Sequence, residues 1–352
     1  MRGRGDKLEV ALAERGLDRL LVTDLTNVRY LTGFTGTNGA VICGPGVRLF
    51  LTDFRYTERA AAEVSEWEIV TVAGDWLAGI AERLGGKVGF EDDHVSVRSL
   101  TKLEEKLPEG IEAVAAGGTV EALRRVKDAE ELTAIAEAAK LADAALKATV
   151  EEGFAGKTER AVAAAFEARV REAGAVPSFE TIVAAGPNGA QPHAEPGPRV
   201  IGKNELIVFD MGAKLDGYCS DGTRTYATGD PGEEGRRVYE AVLAAQQASL
   251  EAIRPGEKGE DVDAAARKAI DDAGHGEHFG HGLGHGVGLD IHEGPRLSLR
   301  SDDILAANEV VTVEPGIYLP GDLGVRIEDL VVVTDTGVRN LSSLPKALDY
   351  VD

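Results

Sequence analysis

The stretch that most constrains this chain is 279–296, with the sequence FGHGLGHGVGLDIHEGPR. Its three histidines, His281, His285 and His292, are spaced by four and seven residues, and six glycines stand in the same stretch. Glycine at this density disfavours both a helix and a packed core strand. It suits a backbone that comes close to a metal, a substrate or another strand. Since imidazole is a common metal ligand, we favour a site over a glycine-rich surface loop with incidental histidines.

The charge balance excludes two classes of partner. The chain has 352 residues, enough for two domains, and a net charge of −22 from 60 acidic and 38 basic residues. Such a surface repels nucleic acid and anionic membranes, so we expect neither as a partner. The excess of carboxylates fits cation binding and adaptation to high salt equally well.

Cysteine usage and hydropathy indicate the compartment. Cys43 and Cys219 are isolated and form no CxxC motif, which favours a reducing environment. No apolar run reaches the roughly 18 residues of a membrane-spanning helix. We therefore expect a soluble cytoplasmic protein.

The first third of the chain alternates strand-like and helix-like segments. Helical patterns cover 6–15, 57–64, 76–84 and 97–107, and strand patterns cover 20–23, 40–43, 48–52, 69–72, 87–90 and 111–114. The alternation predicts a small α/β domain, which we assign to 1–120. We interpret the segments 29–38 and 53–56 as structural loops in preference to catalytic ones.

The remainder, 121–352, is predicted to begin with helices and continue with short strands. The pattern over 119–153 indicates one or two helices with Thr119 as the N-cap, and another helix follows over 157–174. Further helices are expected within 233–273. We expect these helices to cover the outer face of a curved sheet that surrounds the site.

Residues 205–226 form a predicted antiparallel hairpin, in which cross-strand partners have numbers with a constant sum. A turn centred between Leu215 and Asp216 gives a sum of 431 and places Asp210 opposite Asp221. A turn centred on Asp216-Gly217 shifts this register by one residue on each strand. Facing carboxylates repel each other, and Asp210 ends an apolar run where an unpaired charge is costly. A cation between the two removes the conflict.

Residues 309–334 form a second predicted hairpin. A turn centred on Gly321 gives a sum of 642 and places Glu314 opposite Glu328. Two facing acid pairs around a histidine cluster predict a metal site with the ligands Asp210, Asp221, His285, Glu314 and Glu328. Four negative charges nearly neutralise two divalent cations, and oxygen-rich ligation favours Mn²⁺. Paired metals can hold a nucleophilic hydroxide and polarise a carbonyl.

Five motifs carry a family resemblance: PHAEP (192–196), D-x10-D (210–221), HGLGHGVGLDIHEGPR (281–296), EPGIY (314–318) and GVRIED (324–329). Together they resemble the Xaa-Pro peptidases, the prolidase and aminopeptidase P branch of the pita-bread metallopeptidases. The first domain resembles the creatinase-type N-terminal domain of the same branch. The resemblance implies a creatinase N-terminal-like α/β domain over 1–120 and an α+β pita-bread catalytic domain over 121–352.

The resemblance also implies a role for each metal ligand. Asp221 and Glu328 would bridge two divalent ions, with Asp210 completing one site and His285 and Glu314 the other. His285 is taken as the ligand, in preference to His281, because the family pattern places the ligand seven residues before His292. Mn²⁺ is the expected metal, with Co²⁺ and Zn²⁺ as alternatives.

Four further residues receive roles from the resemblance. His193 and His292 would lie in the substrate pocket and stabilise developing charge, and His281 would be another pocket residue. Arg326 would orient the carboxylates, and Glu314 would also carry a proton. The plainer alternatives are a simple loop position for His193 and an ordinary salt bridge for Arg326.

The implied activity is hydrolysis of the Xaa-Pro bond at the N-terminus of dipeptides or short peptides by a metal-bridging hydroxide. The compact length favours a dipeptidase (prolidase), with an aminopeptidase P acting on longer Xaa-Pro-Xaa peptides as the alternative. A methionine aminopeptidase usually lacks the first domain, and creatinase lacks the metal ligands. A non-catalytic binding module of the same fold is the remote alternative. The resemblance also implies a homodimer.

Overall fold

The computed structural model describes residues 3–351 of the chain. Two compact units are present, one ending at Arg124 and the other beginning at Arg125. This boundary lies a few residues beyond the position that we assigned from the sequence. Between residues 3 and 351, no helix has both the length and the apolar character needed to cross a bilayer.

The first unit is built around a six-stranded mixed sheet. Its helices are α1 (Arg4–Glu14), α2 (Leu25–Thr32), α3 (Thr57–Glu63), α4 (Trp76–Ala81), α5 (Val97–Glu104) and α6 (Thr119–Arg125), which ends at the boundary. Its strands are β1 (Arg19–Val22), β2 (Ala40–Gly44), β3 (Val47–Thr52), β4 (Glu68–Thr71), β5 (Lys87–Phe90) and β6 (Glu112–Ala115). The strand order is β4-β3-β2-β1-β5-β6. The pairs β1–β5, β5–β6 and β3–β4 are parallel, and both pairs made by β2 are antiparallel.

Two local predictions in this part of the chain were wrong. The segment 29–38 is not wholly a loop, because helix α2 extends to Thr32. The Asp24 side chain caps α2 by accepting a hydrogen bond from the Thr26 N–H. Thr119 is not the N-cap that we predicted, because it is already the first residue of α6. Its hydroxyl donates to the Ala116 carbonyl.

The second unit contains four long helices and fourteen strands among its described residues. The helices are α7 (Ala129–Val150), α8 (Glu159–Glu172), α9 (Gly232–Ala252) and α10 (Gly259–Asp272). The strands are β7 (Val176–Pro177), β8 (Ile182–Ala185), β9 (Leu206–Met211), β10 (Ala213–Leu215), β11 (Tyr218–Cys219), β12 (Gly222–Ala227), β13 (Gly284–Gly286), β14 (Glu293–Leu297), β15 (Val310–Val313), β16 (Gly316–Leu319), β17 (Leu323–Arg326), β18 (Asp329–Thr334), β19 (Gly337–Asn340) and β20 (Asp349–Tyr350). Helix α7 begins with a capping box in which Asp128 and Glu131 each accept the other's backbone N–H.

The strands form two main sheets, each covered by a pair of helices. The sheet β20-β12-β9-β8 packs against α7 and α8 through aromatic contacts among Phe154, Phe166, Phe209 and Tyr226. The sheet β14-β13-β15-β18-β19 and the ribbon β16-β17 pack against α9 and α10 through an aliphatic core. A further apolar cluster lies on the other side of the second sheet, where Val310, Leu330 and Val332 pack with Ile135 and Ala139 of α7.

Candidate metal centre

The structure brings all nine predicted site residues to one cavity of about 880 Å³ in the second unit. They are Asp210, Asp221, His285, Glu314, Glu328, His193, His281, His292 and Arg326. Residues that lie up to 135 positions apart in the sequence therefore share one space.

The register predicted for the first hairpin was wrong by one residue on each strand. The turn is centred on Asp216 and Gly217, whose φ values are 48° and 88°. Two successive residues in the left-handed region make the tight hairpin turn that Asp-Gly favours. Asp210 consequently lies opposite Thr223. Asp221 lies in the break between β11 and β12, and this break lets its carboxylate converge on Asp210 without a facing position in the ladder.

The register predicted for the second hairpin is confirmed. Val313 pairs with Asp329 and Gly316 pairs with Arg326, so the sum of 642 holds on both sides of a break. Glu314 and Glu328 both lie in that break. Their backbone N–H groups donate outside the hairpin, from Glu314 to the Leu283 carbonyl at 2.9 Å and from Glu328 to the Thr223 carbonyl at 3.0 Å. The two acids thereby tie neighbouring hairpins together at the site.

Three carboxylates form the centre of the cluster. One oxygen from each of Asp210, Asp221 and Glu328 lies within 4.8 Å of the others. Within residues 3–351, Asp210 Oδ1 and Glu328 Oε1 are buried acceptors without a hydrogen-bond partner. Burial and the charge of Glu328 raise the pKa of Asp221 well above its ordinary value. Burial and the charge of Glu314 raise the pKa of Glu328 in the same way.

These features fit a bound divalent cation. Unpartnered buried acceptors and mutually repelling carboxylates are both costly without a compensating positive charge. A cation among the three oxygens supplies that charge. Hard oxygen donors with one imidazole suit Mn²⁺ and related borderline ions.

His285 presents a nitrogen to the same cluster. Its Nδ1 lies 3.1 Å from the Gly286 carbonyl, which requires the proton on Nδ1. Nε2 then carries a lone pair and lies 3.4 Å from Glu314 Oε1 and 3.6 Å from Asp221 Oδ2. Burial lowers the pKa of His285 to about 4, so the ring is neutral near pH 7. A neutral imidazole oriented by a backbone carbonyl is the usual state of a metal-binding histidine.

The glycines around His285 permit a close approach of strands. Contrary to the expectation that glycine would exclude a packed strand, Gly284–Gly286 is the buried strand β13. A Cβ atom on Gly284 would lie 2.1 Å from the Thr312 carbonyl oxygen, and one on Gly286 would lie 2.0 Å from the Gly294 carbonyl oxygen. Only glycine therefore lets His285 reach the cluster from between two close neighbours.

Arg326 connects the carboxylates to the rest of the cavity wall. It is 3% exposed and donates to Asp210 Oδ2 at 2.6 Å and to Thr223 Oγ1 at 3.1 Å. The Thr223 hydroxyl in turn donates to Glu328 Oε2 at 2.7 Å. Arg326 also donates to the Pro192 carbonyl at 3.2 Å, directly before His193. One guanidinium thus orients two carboxylates and the loop that carries a pocket histidine.

Two residues to which the sequence analysis gave no role, Tyr318 and Thr223, belong to this network. The Tyr318 hydroxyl accepts from Arg326 at 2.9 Å and lies 2.8 Å from His281 Nε2. His281 Nδ1 lies 2.8 Å from the Gly282 carbonyl, so Nδ1 carries the proton and Nε2 accepts from Tyr318. The sequence could have indicated a role for Tyr318. Gly316 pairs with Arg326, and Tyr318, two residues further along the same strand, lies on the same face as Gly316 and so beside Arg326.

His193 and His292 line the same cavity but are exposed. The His292 ring lies against His285, with ring centroids 4.4 Å apart. Burial and Arg296 lower the pKa of His292. These two histidines stand where they can meet a ligand that enters from solvent.

Comparison with known families and proteins agrees with the geometry of both units. Residues 133–335 match the model of metallopeptidase family M24, and residues 4–126 match that of the creatinase/prolidase N-terminal domain. The chain is 36% identical over 362 residues to a Xaa-Pro dipeptidase of Pyrococcus furiosus, with 99% of this chain and 100% of that protein covered.

Two solved structures are similar over nearly the whole length. A Xaa-Pro dipeptidase from Bacillus anthracis superposes with a TM-score of 0.96 at 39% identity and covers 99% of each chain. An X-Pro aminopeptidase from Thermotoga maritima MSB8 superposes with a TM-score of 0.90 at 35% identity and covers 96% of this chain and 99% of the other.

Proposed function

Because this chain belongs to metallopeptidase family M24, we propose that it hydrolyses the Xaa-Pro bond of dipeptides. Its fold combines the creatinase-type N-terminal domain with the pita-bread catalytic domain, as predicted. The observation that carries the proposal is the convergence of the carboxylates of Asp210, Asp221 and Glu328, two of which have an unpartnered buried oxygen. The unprotonated nitrogen of His285 lies 3.6 Å from the Asp221 carboxylate. The names of several relatives support the choice of substrate.

Five residues are proposed to hold two divalent ions. Asp221 and Glu328 would be shared between the ions, with Asp210 completing one site and His285 and Glu314 the other. Mn²⁺ is the proposed metal, with Co²⁺ and Zn²⁺ as alternatives. When bound, such ions lower the pKa of water and polarise the scissile carbonyl.

The chain's own residues are proposed to bind the peptide and to move the proton. The exposed rings of His193 and His292 can donate to the carbonyl oxygen as it gains charge. In the metal-free protein, burial raises the pKa of Glu314 to about 7, and Glu314 is also the proposed proton carrier. Thr312 donates to Glu314 Oε1 at 2.9 Å, which fixes the orientation of this carboxylate. Arg326 keeps Asp210 in place.

Three further features complete the proposal. The protein acts as a homodimer, in agreement with the resemblance described above. Its compartment is the cytoplasm, which agrees with two buried cysteines that are not joined by a disulfide. Its substrates are proline-containing dipeptides, and longer Xaa-Pro peptides are the second candidate because one similar structure is an X-Pro aminopeptidase.

Hydrolysis of three peptides tests the proposal directly. Ala-Pro, Ala-Pro-Ala and Met-Ala-Ser are offered to protein that has been treated with a chelator and then supplied with Mn²⁺. We expect cleavage of Ala-Pro alone. Cleavage of Ala-Pro-Ala would indicate an aminopeptidase P, and release of methionine alone would overturn the Xaa-Pro assignment. No metal-dependent cleavage of any peptide would favour the binding-module alternative.

A further inference from the structure

Arg267 of helix α10 donates hydrogen bonds to the backbone of the glycine-rich segment, residues 279–296, from outside the cavity. Its Nη1 donates to the Phe279 carbonyl at 3.0 Å, and its Nη2 donates to the His281 carbonyl at 2.6 Å. The guanidinium also lies over the Phe279 ring, 4.5 Å from the centroid. A planar fork of donors suits two nearby carbonyls in a way that a single ammonium does not.

Asp263, one helical turn earlier, holds Arg267 and reaches the same segment. Its carboxylate is fully buried and accepts from Arg267 Nε at 2.6 Å and Nη2 at 3.2 Å. Asp263 Oδ1 also accepts the Leu283 N–H at 3.0 Å. The pair therefore binds the backbone on both sides of His281, and every bond to the segment is charge-assisted.

Glycine on either side of His281 widens the range of conformations open to the backbone there. Gly280 and Gly282 flank the residue, and a Cβ atom on Gly280 would meet no atom within 4 Å. Glycine leaves the backbone its widest conformational freedom. The His281 ring nevertheless makes two bonds that need a fixed position, one to the Gly282 carbonyl and one to the Tyr318 hydroxyl. The bonds from Asp263 and Arg267 to Phe279, His281 and Leu283 restrain the backbone on which that position depends.

We propose that Asp263 and Arg267 are positioning residues that act through His281 and hold its imidazole in the cavity. The proposal rests on the peptidase function given above, since the cavity is the substrate site. It predicts that loss of Arg267 lowers turnover without loss of metal, because neither residue reaches the carboxylate cluster.

The same helix offers a matched control. Lys268 and Asp272 also form an ion pair four residues apart, at 2.6 Å, but both side chains are largely exposed. Lys268→Gln removes a positive charge from α10 as Arg267→Gln does, and it touches nothing in the glycine-rich segment. General effects on the helix or on net charge would appear in both variants.

A double-mutant cycle tests the proposal. Turnover of Ala-Pro, metal content and thermal stability are measured for Arg267→Gln, Lys268→Gln, His281→Ala and the double variant Arg267→Gln/His281→Ala. We expect Arg267→Gln to lower kcat by roughly 10- to 100-fold, the range typical of residues that orient site groups. We expect the metal content to stay at the wild-type value and Lys268→Gln to behave as wild type. In the His281→Ala background, Arg267→Gln should have no further effect on kcat.

A second measurement does not depend on activity. Long-range ¹H–¹⁵N spectra of the metal-free protein report the tautomer of each imidazole, and the signal missing in His281→Ala identifies His281. Wild type and Lys268→Gln should show His281 protonated at Nδ1 only. Arg267→Gln should show a mixture of tautomers. If Arg267→Gln does not fold, Arg267→Lys takes its place, since a single ammonium nitrogen cannot reproduce the four bonds that the guanidinium makes through three nitrogens.

Two results would overturn the proposal. One is a loss of kcat on Arg267→Gln that is as large in the His281→Ala background as in the wild-type background. The other is an unchanged His281 spectrum in the Arg267 variant. An inactive wild-type protein would contradict the proposed function, whereas the spectra would still decide whether the pair positions His281.

Discussion

Each unit of the chain contains a cluster of three acids, and the two clusters differ in their partners. In the first unit the cluster is Asp24, Glu91 and Glu121, and in the second it is Asp210, Asp221 and Glu328. In both, one oxygen per residue lies within 4.8 Å of the others. Proximity and formal charge alone therefore do not distinguish them.

The cluster of the first unit is satisfied by the protein itself. Glu91 accepts the N–H groups of Thr23 and Asp24 at 2.6 and 2.8 Å and the amide of Asn27 at 2.8 Å. Asn27 also donates to Glu121. In the second unit, two buried carboxylate oxygens lack partners among the described residues, and the cluster faces a cavity. Unmet acceptors that open to a cavity, rather than acidity, indicate a metal site.

The variant Asp221→Asn, with Asp24→Asn as its matched control, tests most directly whether the two clusters differ in metal binding. Asn at 24 still caps helix α2, so both variants make the same chemical change. Asp221→Asn should lower the rate of Ala-Pro hydrolysis by more than roughly 100-fold, above the range for residues outside the ligand set. Metal content, measured by elemental analysis, should fall together with the rate. Asp24→Asn should retain both. Normal turnover in Asp221→Asn would refute the two-metal model.

The variant His193→Ala tests whether His193 is one of the metal ligands of the second cluster or contacts only the substrate. His193 lines the cavity but is exposed, so we expect it to meet substrate and not metal. Loss of one donor to a developing oxyanion typically costs about 100-fold in kcat, and we expect a loss of that order. The metal content should equal that of wild type. Metal loss in this variant would place His193 among the ligands instead.

Bound metal should stabilise only the unit that contains the unmet acceptors. Ligand at about 100 times its dissociation constant adds about 2.7 kcal/mol to the free energy of unfolding, which corresponds to a rise in Tm of roughly 5–10 °C for a unit of this size. Both tryptophans, Trp67 and Trp76, lie in the first unit. Their fluorescence therefore follows that unit, and calorimetry follows both.

We expect Mn²⁺ to shift the calorimetric transition of the second unit while the tryptophan transition stays in place. Asp24→Asn should behave as wild type, and Asp221→Asn should show no shift. A metal-dependent shift of the tryptophan transition would mean that the first cluster also binds a cation.

The sequence was sufficient for the second hairpin because its turn and its two apolar runs agree. A turn at Gly321 fixes the sum of 642, and that register continues on both sides of the break at Glu314. The first hairpin offered an equally good signal in Asp216-Gly217, which is a strong predictor of a two-residue turn. The error came from centring the turn one residue too early.

The hydrogen-bond network was beyond the reach of sequence patterns. Thr223 meets Glu328, and Tyr318 meets Arg326, because separate hairpins are stacked at the site. Periodicity places a residue on a face of its own strand, but it does not specify which strand lies across from that face. The contact of α10 with the backbone around His281 was beyond sequence patterns for the same reason. Charged pairs four apart on a helix occur throughout the chain, and only the fold shows which of them reaches a site.

The smallest effect that we expect is the pH dependence of stability due to Glu91. Its measurement tests whether Glu91 titrates as an ordinary buried acid. Burial raises the pKa of Glu91 above its ordinary value of 4.5. The folded chain therefore keeps a proton on Glu91 at pH values where the unfolded chain has lost it. A state that binds more protons is favoured by low pH, so the stability that Glu91 contributes falls as the pH rises from 4.5 through the folded pKa.

Glu91→Gln removes this titration, since an amide does not ionise. The difference in the free energy of unfolding between wild type and variant should change with pH in that window, by at most about 1.4 kcal/mol per pH unit for one proton. Urea unfolding followed by tryptophan fluorescence measures it in the first unit alone. A difference that is constant between pH 4.5 and 8 would show that Glu91 is ionised throughout. A bound proton would then not be what relieves the repulsion among the three acids of the first unit, and the contrast between the two clusters would weaken.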